Sequence, residues 1–347
     1  MRASQEGPTI AVRGATATAA GGQEAHHATA SPTTPRLGLR DVHLQTGSLV
    51  RLVSASIYKT SAGRTHLQGI YLRALEGLRA PVTRRTIETR FGSTHLLETG
   101  SEGDPPVVLF QGGNSLNPLS LAWFLPLASR YRLYAPDTVG HPGFSAETRL
   151  SPKDLSYGEW ASDVLDALEL DQASIIGPSF GAGIALRLAA LAPERIRSAA
   201  LLVPSGVISP PVLPLLRGII APMLGYMLRP NQRRLNRAVK PIFTGEPAPL
   251  WLEATKASFD HLRLESSMPR PATSEELLGF TAPTLVVAAE RDPFFPGRLV
   301  LQRAREILPH ARLELFEGES HVLSDDGVRR LRELVREVCA PEAEEPA

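Results

Sequence analysis

The sequence predicts an α/β fold: a mostly parallel, centrally placed sheet of about eight strands, helices on both faces and an inserted helical cap. Three observations carry this expectation. From about residue 84, short β-branched runs alternate with longer Ala/Leu-rich stretches of helical period, the rhythm of crossover units on a parallel sheet. Several of the short runs are apolar on both faces, as strands covered by helices on either side should be. One interval of about 75 residues, 205–280, breaks the rhythm with helical, Pro-interrupted sequence between two strands, and is read as the cap.

In chain order, residues 1–45 are rich in Ala, Thr, Gly, Ser and His and nearly free of bulky apolar residues. They cannot bury enough surface to offset their ordering entropy and are expected to form a disordered leader. Residues 46–83 are read as a helical extension, with Tyr71, Leu72 and Leu75 at helical spacing for packing on the core or on a second copy. Residues 86–89 and 94–98 flank a turn at Gly92 and open the core as a hairpin. Six further strands are expected at 107–111, 131–135, 173–177, 199–203, 284–289 and 312–316, with helices at 119–129, 157–169, 180–191, 296–307 and 326–338. The core thus comprises residues 84–204 and 281–340.

Composition narrows the function. The 37 Lys and Arg against 36 Asp and Glu give a net charge of +1, which leaves no overall excess to condense on a phosphate backbone or an anionic bilayer. Nucleic acid is not an expected partner. The lone Cys339 excludes an internal disulfide and a CxxC site, and points to a reducing, cytoplasmic setting. Residues 1–30 hold no apolar run longer than Ile10-Ala11-Val12, so no secretory signal is indicated. The longest apolar stretch, 212–228, is interrupted by Pro214, Arg217, Pro222 and two glycines, and is shorter than the roughly 20 residues that span a bilayer. A buried or groove-lining role without stable membrane insertion is expected for it. Neither a metal-type His/Cys cluster nor a phosphate-cradling loop is present, and no cofactor is expected.

The chemistry centres on Gly177-Pro178-Ser179-Phe180-Gly181, a GxSxG sequence between a strand (173–176) and a helix (180–191). So tight a turn lifts the serine hydroxyl above the sheet edge, and small residues two positions either side let strand and helix approach. The helix that starts there aims free N–H groups and its positive dipole end at any oxyanion formed nearby. A hydroxyl needs a base to attack at neutral pH. Of nine histidines, His321 follows the final strand on a loop at the carboxyl end of the sheet, where such folds place their sites. An acid must hold its imidazole, and Asp292 lies three residues past strand 284–289 with Pro293 fixing the loop's direction. Glu290 competes in the same loop, and Asp325 and Asp326 are read as solvent-facing or helix-capping.

The order Ser179, Asp292, His321, together with the strand rhythm and the elbow, resembles the α/β-hydrolase superfamily over residues 84–338, in its serine esterase/lipase-like branch with a helical cap. The resemblance extends to Gln111-Gly112-Gly113-Asn114, similar to the HGG-type segment of that family, and implies that the Gly113 and Phe180 amides form an oxyanion hole. Gln111 stands where His is usual, and can hold the loop without titrating. Residues 136–145 resemble the family's DxxGxGxS loop, which makes Asp137 and His141 structural. Pro178 leaves no polar side chain before the nucleophile. A serine nucleophile disfavours the epoxide-hydrolase and dehalogenase chemistry that similar folds run on a carboxylate.

The implied activity is hydrolysis of a small-molecule carboxylic ester with an apolar acyl or alcohol part, by a monomer or homodimer. Candidate substrate contacts are Asn114, Leu116, Asn117 and Trp123 near the oxyanion segment and Trp251 in the cap. Acyl transfer, peracid formation, carbon–carbon bond hydrolysis and non-catalytic ligand reception on the same scaffold are the alternatives.

Overall fold

The computed structural model describes residues 56–340; the predicted leader and residues 46–55 of the predicted extension lie outside the described residues. Within them the chain runs α1 (Ser61–Gly77), β1 (Thr83–Thr89), β2 (Gly92–Thr99), β3 (Pro106–Leu109), α2 (Asn117–Phe124), β4 (Arg132–Pro136), α3 (Ser156–Ala167), β5 (Ala173–Pro178), α4 (Phe180–Leu191) and β6 (Ile196–Leu202). Four helices follow: α5 (Val212–Leu215), α6 (Ala221–Leu228), α7 (Gln232–Val239) and α8 (Pro249–His261). The chain closes with β7 (Thr284–Ala289), α9 (Gly297–Ile307), β8 (Arg312–Phe316) and α10 (Asp325–Cys339).

All eight strands form one sheet in the order β1-β2-β4-β3-β5-β6-β7-β8. β2 runs antiparallel to both β1 and β4, and every other neighbouring pair is parallel. Alternation along the strands sends side chains into two cores. Val108, Ile175, Val286 and Ala288 pack with Trp160 of α3, Ile184 of α4 and Val300 of α9. Val107, Leu109, Ile176, Leu285 and Val287 pack with Ile70 of α1, Leu121 of α2 and Leu331 of α10. Burial on both faces is why these strands read as continuous apolar runs.

Local chemistry sets the element ends. Thr60 caps α1 by accepting the Gly63 N–H at 3.0 Å. The helix expected over 119–129 stops at Phe124 and tightens into a 3₁₀ turn over Leu125–Ser129, because Pro126 has no N–H for an α-helical bond. Ser324 caps α10 by accepting the Gly327 N–H, and Asp325 and Asp326 complement the dipole in its first turn. In the segment predicted as the cap, residues 212–228 form one continuous helical run with a π-helical stretch over Leu216–Ile220. Pro222 cannot bond the carbonyl four residues back, and the widened turn just upstream accommodates its ring.

Candidate active site

Strand β5 ends at Pro178, and the next residue, Ser179, adopts φ 52° and ψ −113° before α4 starts at Phe180. Such a backbone is costly for a residue with a Cβ, so the surroundings must hold it. They do so with main-chain bonds: the Ser179 N–H donates to the Leu202 carbonyl at 2.8 Å, and the Ser179 carbonyl accepts from the Ser205 N–H at 3.2 Å and its hydroxyl at 3.0 Å. The glycines flanking the turn are required by space. A Cβ on Gly181 would overlap the Phe110 carbonyl, and one on Gly177 would lie 2.5 Å from the Ala182 nitrogen. The sequence reading found the elbow but missed Ser205, whose bracing role depends on β6 pairing beside β5.

His321 and Asp292 reach this serine from the loops after β8 and β7. The Ser179 hydroxyl and His321 Nε2 are 2.9 Å apart, and His321 Nδ1 lies 2.7 Å from Asp292 Oδ2. The other Asp292 oxygen accepts the Phe294 and Phe295 N–H groups at 2.8 and 3.1 Å, and the carboxylate is wholly buried. A carboxylate only accepts, so Nδ1 carries the proton and Nε2 is left free to take the serine's. Phe294 packs edge-on against the imidazole at 4.8 Å between ring centroids. Glu290, the competing acid, faces away: it accepts from Arg298 and from the Gly318 N–H, both at 3.0 Å, and these bonds hold its carboxyl below the usual range.

The segment 111–117 is fixed from below. Gln111 Nε2 donates to the Ser115 carbonyl at 3.1 Å, and the Asn114 N–H donates to His141 Nδ1 at 3.2 Å. That leaves the Gly113 N–H without an acceptor among the described residues, beside Phe180, whose N–H opens α4 and has no intrahelical partner. Asp137 accepts from Tyr71, Asn117 and the Phe144 N–H and pairs with His95 at 3.0 Å, so it organises the loop beneath and does not line the cavity that holds Ser179.

His141 is fully enclosed, and burial, aided by Arg149, pushes its pKa down to about 3. It is therefore neutral and able to accept from Asn114 at all ordinary pH values. The unfolded chain protonates this imidazole near 6.5, so the stability this residue contributes is complete above that pH and falls as pH drops toward 3. We expect wild type to lose about 2 kcal/mol more than His141→Asn between pH 7 and 4.5, measured by chemical denaturation. Parallel pH profiles for the two proteins would contradict the assignment.

Above these groups lies a cavity of about 710 Å³ whose lining includes Ser179, Phe180, Gly113 and His321. The helices between β6 and β7 contribute Leu215, Ile219, Met223, Trp251 and Phe259 to its wall, and α2 contributes Leu119 and Trp123. The indoles of Trp123 and Trp251 meet at 5.9 Å between centroids. Two predicted contacts are corrected. Leu116 is 1% exposed and packs in the α1/α2/α10 core, because the chain turns into α2 there and carries the side chain inward. Asn117 is fully buried and donates to the Ala135 carbonyl and to Asp137. Asn114 does line the cavity, but its amide is engaged at both ends: Nδ2 donates to the Glu265 carbonyl at 2.9 Å and Oδ1 accepts the Glu265 N–H at 2.8 Å. It clamps residues 262–267 to the segment 111–117.

A second seam went unnoticed in the sequence. The Ser320 hydroxyl donates to the Pro241 carbonyl and its N–H to the Thr244 hydroxyl, each at 2.6 Å, while Val322 and Thr244 exchange main-chain bonds with residues 242 and 322. The histidine loop is thereby stitched to the segment between α7 and α8.

The alpha/beta hydrolase family profile matches residues 107–334. The chain is 27% identical to the uncharacterized carboxylesterase nap of Bacillus subtilis (strain 168), over 69% of this chain and 80% of that one. It is 30% identical to a 2-hydroxymuconate semialdehyde hydrolase of Pseudomonas sp. (strain CF600), over 62% and 78% respectively. Among solved structures, naproxen esterase (carboxylesterase NP) from Bacillus subtilis superimposes with a TM-score of 0.69 at 24% identity, over 80% of this chain and 99% of that one. With the family profile spanning most of the chain and the sheet, elbow and loops in place, this protein belongs to the alpha/beta hydrolase family.

Proposed function

We propose that the protein is a serine carboxylic-ester hydrolase acting on small molecules with an apolar acyl or alcohol part. The observation that carries this reading is the chain of two short hydrogen bonds, Ser179 to His321 and His321 to Asp292, opening into an apolar cavity. The Bacillus relatives named carboxylesterases support it. In the first half-reaction Ser179 Oγ attacks the ester carbonyl carbon while His321 Nε2 takes its proton and Asp292 holds the imidazolium. The carbonyl oxygen becomes an oxyanion facing the Gly113 and Phe180 amides, and one such donor is worth about 3 kcal/mol of barrier. Collapse expels the alcohol with the proton from Nε2 and leaves an acyl-serine. Water, deprotonated by the same imidazole, then attacks and releases the acid.

The same reading takes residues 205–280 as the cap and keeps the enzyme cytoplasmic, as a monomer or homodimer. The presence of a single thiol, Cys339, with no partner for a disulfide within the chain supports a reducing compartment. The relatives named 2-hydroxymuconate semialdehyde hydrolase favour a second reading, in which the same side chains hydrolyse a carbon–carbon bond next to a carbonyl group.

A series of p-nitrophenyl esters of rising acyl length, with acid and alcohol both quantified, tests the proposal. kcat/KM should rise up to about fourfold per added methylene while the chain still fits the cavity, with one acid released per phenol. An enzyme inert to every ester yet active on a vinylogous ketone would replace the ester reading with the second one.

A further inference from the structure

Residues 205–245 contain Arg217, Arg229, Arg233, Arg234, Arg237 and Lys240 and no Asp or Glu, whereas in the rest of the chain 31 basic residues face 36 acidic ones. None of these six cations is in an ion pair among the described residues, although most other parts of the surface carry such pairs. Five of the six are exposed, and Arg234 is half-buried, donating to the Gly225 carbonyl. The helical run 212–228 that precedes α7 is two-faced. Leu215, Ile219 and Met223 line the cavity, while Val212, Leu213, Leu216, Leu224, Met227 and Leu228 stand in solvent, Val212 at 79% and Leu228 at 82% exposure. Six of the ten large apolar side chains exposed among the described residues gather on this one run.

We propose that this ridge docks reversibly on an anionic phospholipid surface, with the leucines at the acyl boundary and the arginines among the headgroup phosphates. Such layering, apolar side chains flanked by unpaired cations, is that of a helix lying in an interface. The run has 17 residues and contains two prolines, and no described helix is long and apolar enough to cross a membrane, so the contact lies on the bilayer and does not span it. Charge selects lipid over the other occupants. A second copy meeting this ridge symmetrically would bring six like charges against six more, and residues 1–55 hold five basic and three acidic residues, a positive balance that does not complement the ridge. Docking would set the wall of the cavity against the membrane, and it does not depend on the hydrolytic reading.

Co-flotation of the full-length protein with vesicles of phosphatidylcholine alone, or of phosphatidylcholine containing phosphatidylglycerol, tests this. We expect binding to the anionic vesicles only, loss at high salt, and equal binding by Ser179→Ala. Arg233→Gln and Arg237→Gln should each weaken partition about fivefold, and Leu213→Asp with Leu224→Asp at least tenfold, while kcat/KM on a soluble short-chain ester and the melting temperature stay at wild-type values. Protein that stays unbound overturns the proposal. So does binding indifferent to these substitutions, a concentration-dependent dimer that Leu224→Asp breaks in the absence of lipid, or hydrogen-exchange protection of the ridge by the chain's own leader.

Discussion

Ser179→Ala is expected to lower kcat on a p-nitrophenyl ester by about 10⁶-fold, with KM nearly unchanged. The reasoning is local. The hydroxyl makes one side-chain bond, to His321, and the strained turn around it is held by main-chain partners at Leu202 and Ser205 that alanine leaves in place. In the proposed mechanism the substitution removes the atom that forms the acyl-enzyme; the cavity and the Gly113 and Phe180 amides persist and should leave slow residual catalysis over water. The melting temperature should stay within about 2 °C of wild type, since no buried apolar contact is lost. A fall in kcat of less than about 100-fold would move the nucleophile elsewhere.

Asp292→Asn is expected to cost about 10⁴-fold in kcat for a different reason. Asparagine is the same size, and its oxygen can still accept the Phe294 and Phe295 N–H groups that orient the loop. Its NH₂ group then faces His321 Nδ1, so the imidazole must present a lone pair there and carry its proton on Nε2. Nε2 lies 2.9 Å from the serine oxygen and would meet it as a donor, unable to take the proton. The loss should fall on kcat and spare KM, because Asp292 is buried away from the cavity lining. Steady-state kinetics at neutral pH decide it, and a drop of less than tenfold would show that Asp292 only packs.

Much of this site is legible in the sequence because each member has a strand behind it. Ser179, Asp292 and His321 each lie on the loop that follows a strand, and parallel strands deliver their following loops to one edge. The braces were not legible in the same way. Asn114 meets Glu265 across 151 residues, and Ser320 meets Pro241 across 79, through approaches that no periodicity or turn residue announces. Leu116 shows the opposite failure. It neighbours residues 111–114 in sequence, yet one residue of turn into α2 sends it to the core. The net charge of +1 is a true average that hides residues 205–245, where six cations gather without an acid. Whole-chain balance therefore argues against a nucleic-acid-coated surface but says little about one helix lying on lipid.

The account rests on three distant side chains acting as one unit at Ser179. Its most direct test is the rate of covalent labelling by a fluorophosphonate, followed by peptide mass spectrometry, in wild type, Ser179→Ala and Asp292→Asn. We expect a single adduct on the peptide containing Ser179, none in the alanine variant, and labelling slowed by orders of magnitude in the asparagine variant. An adduct at another residue, or equal rates in all three proteins, would contradict it.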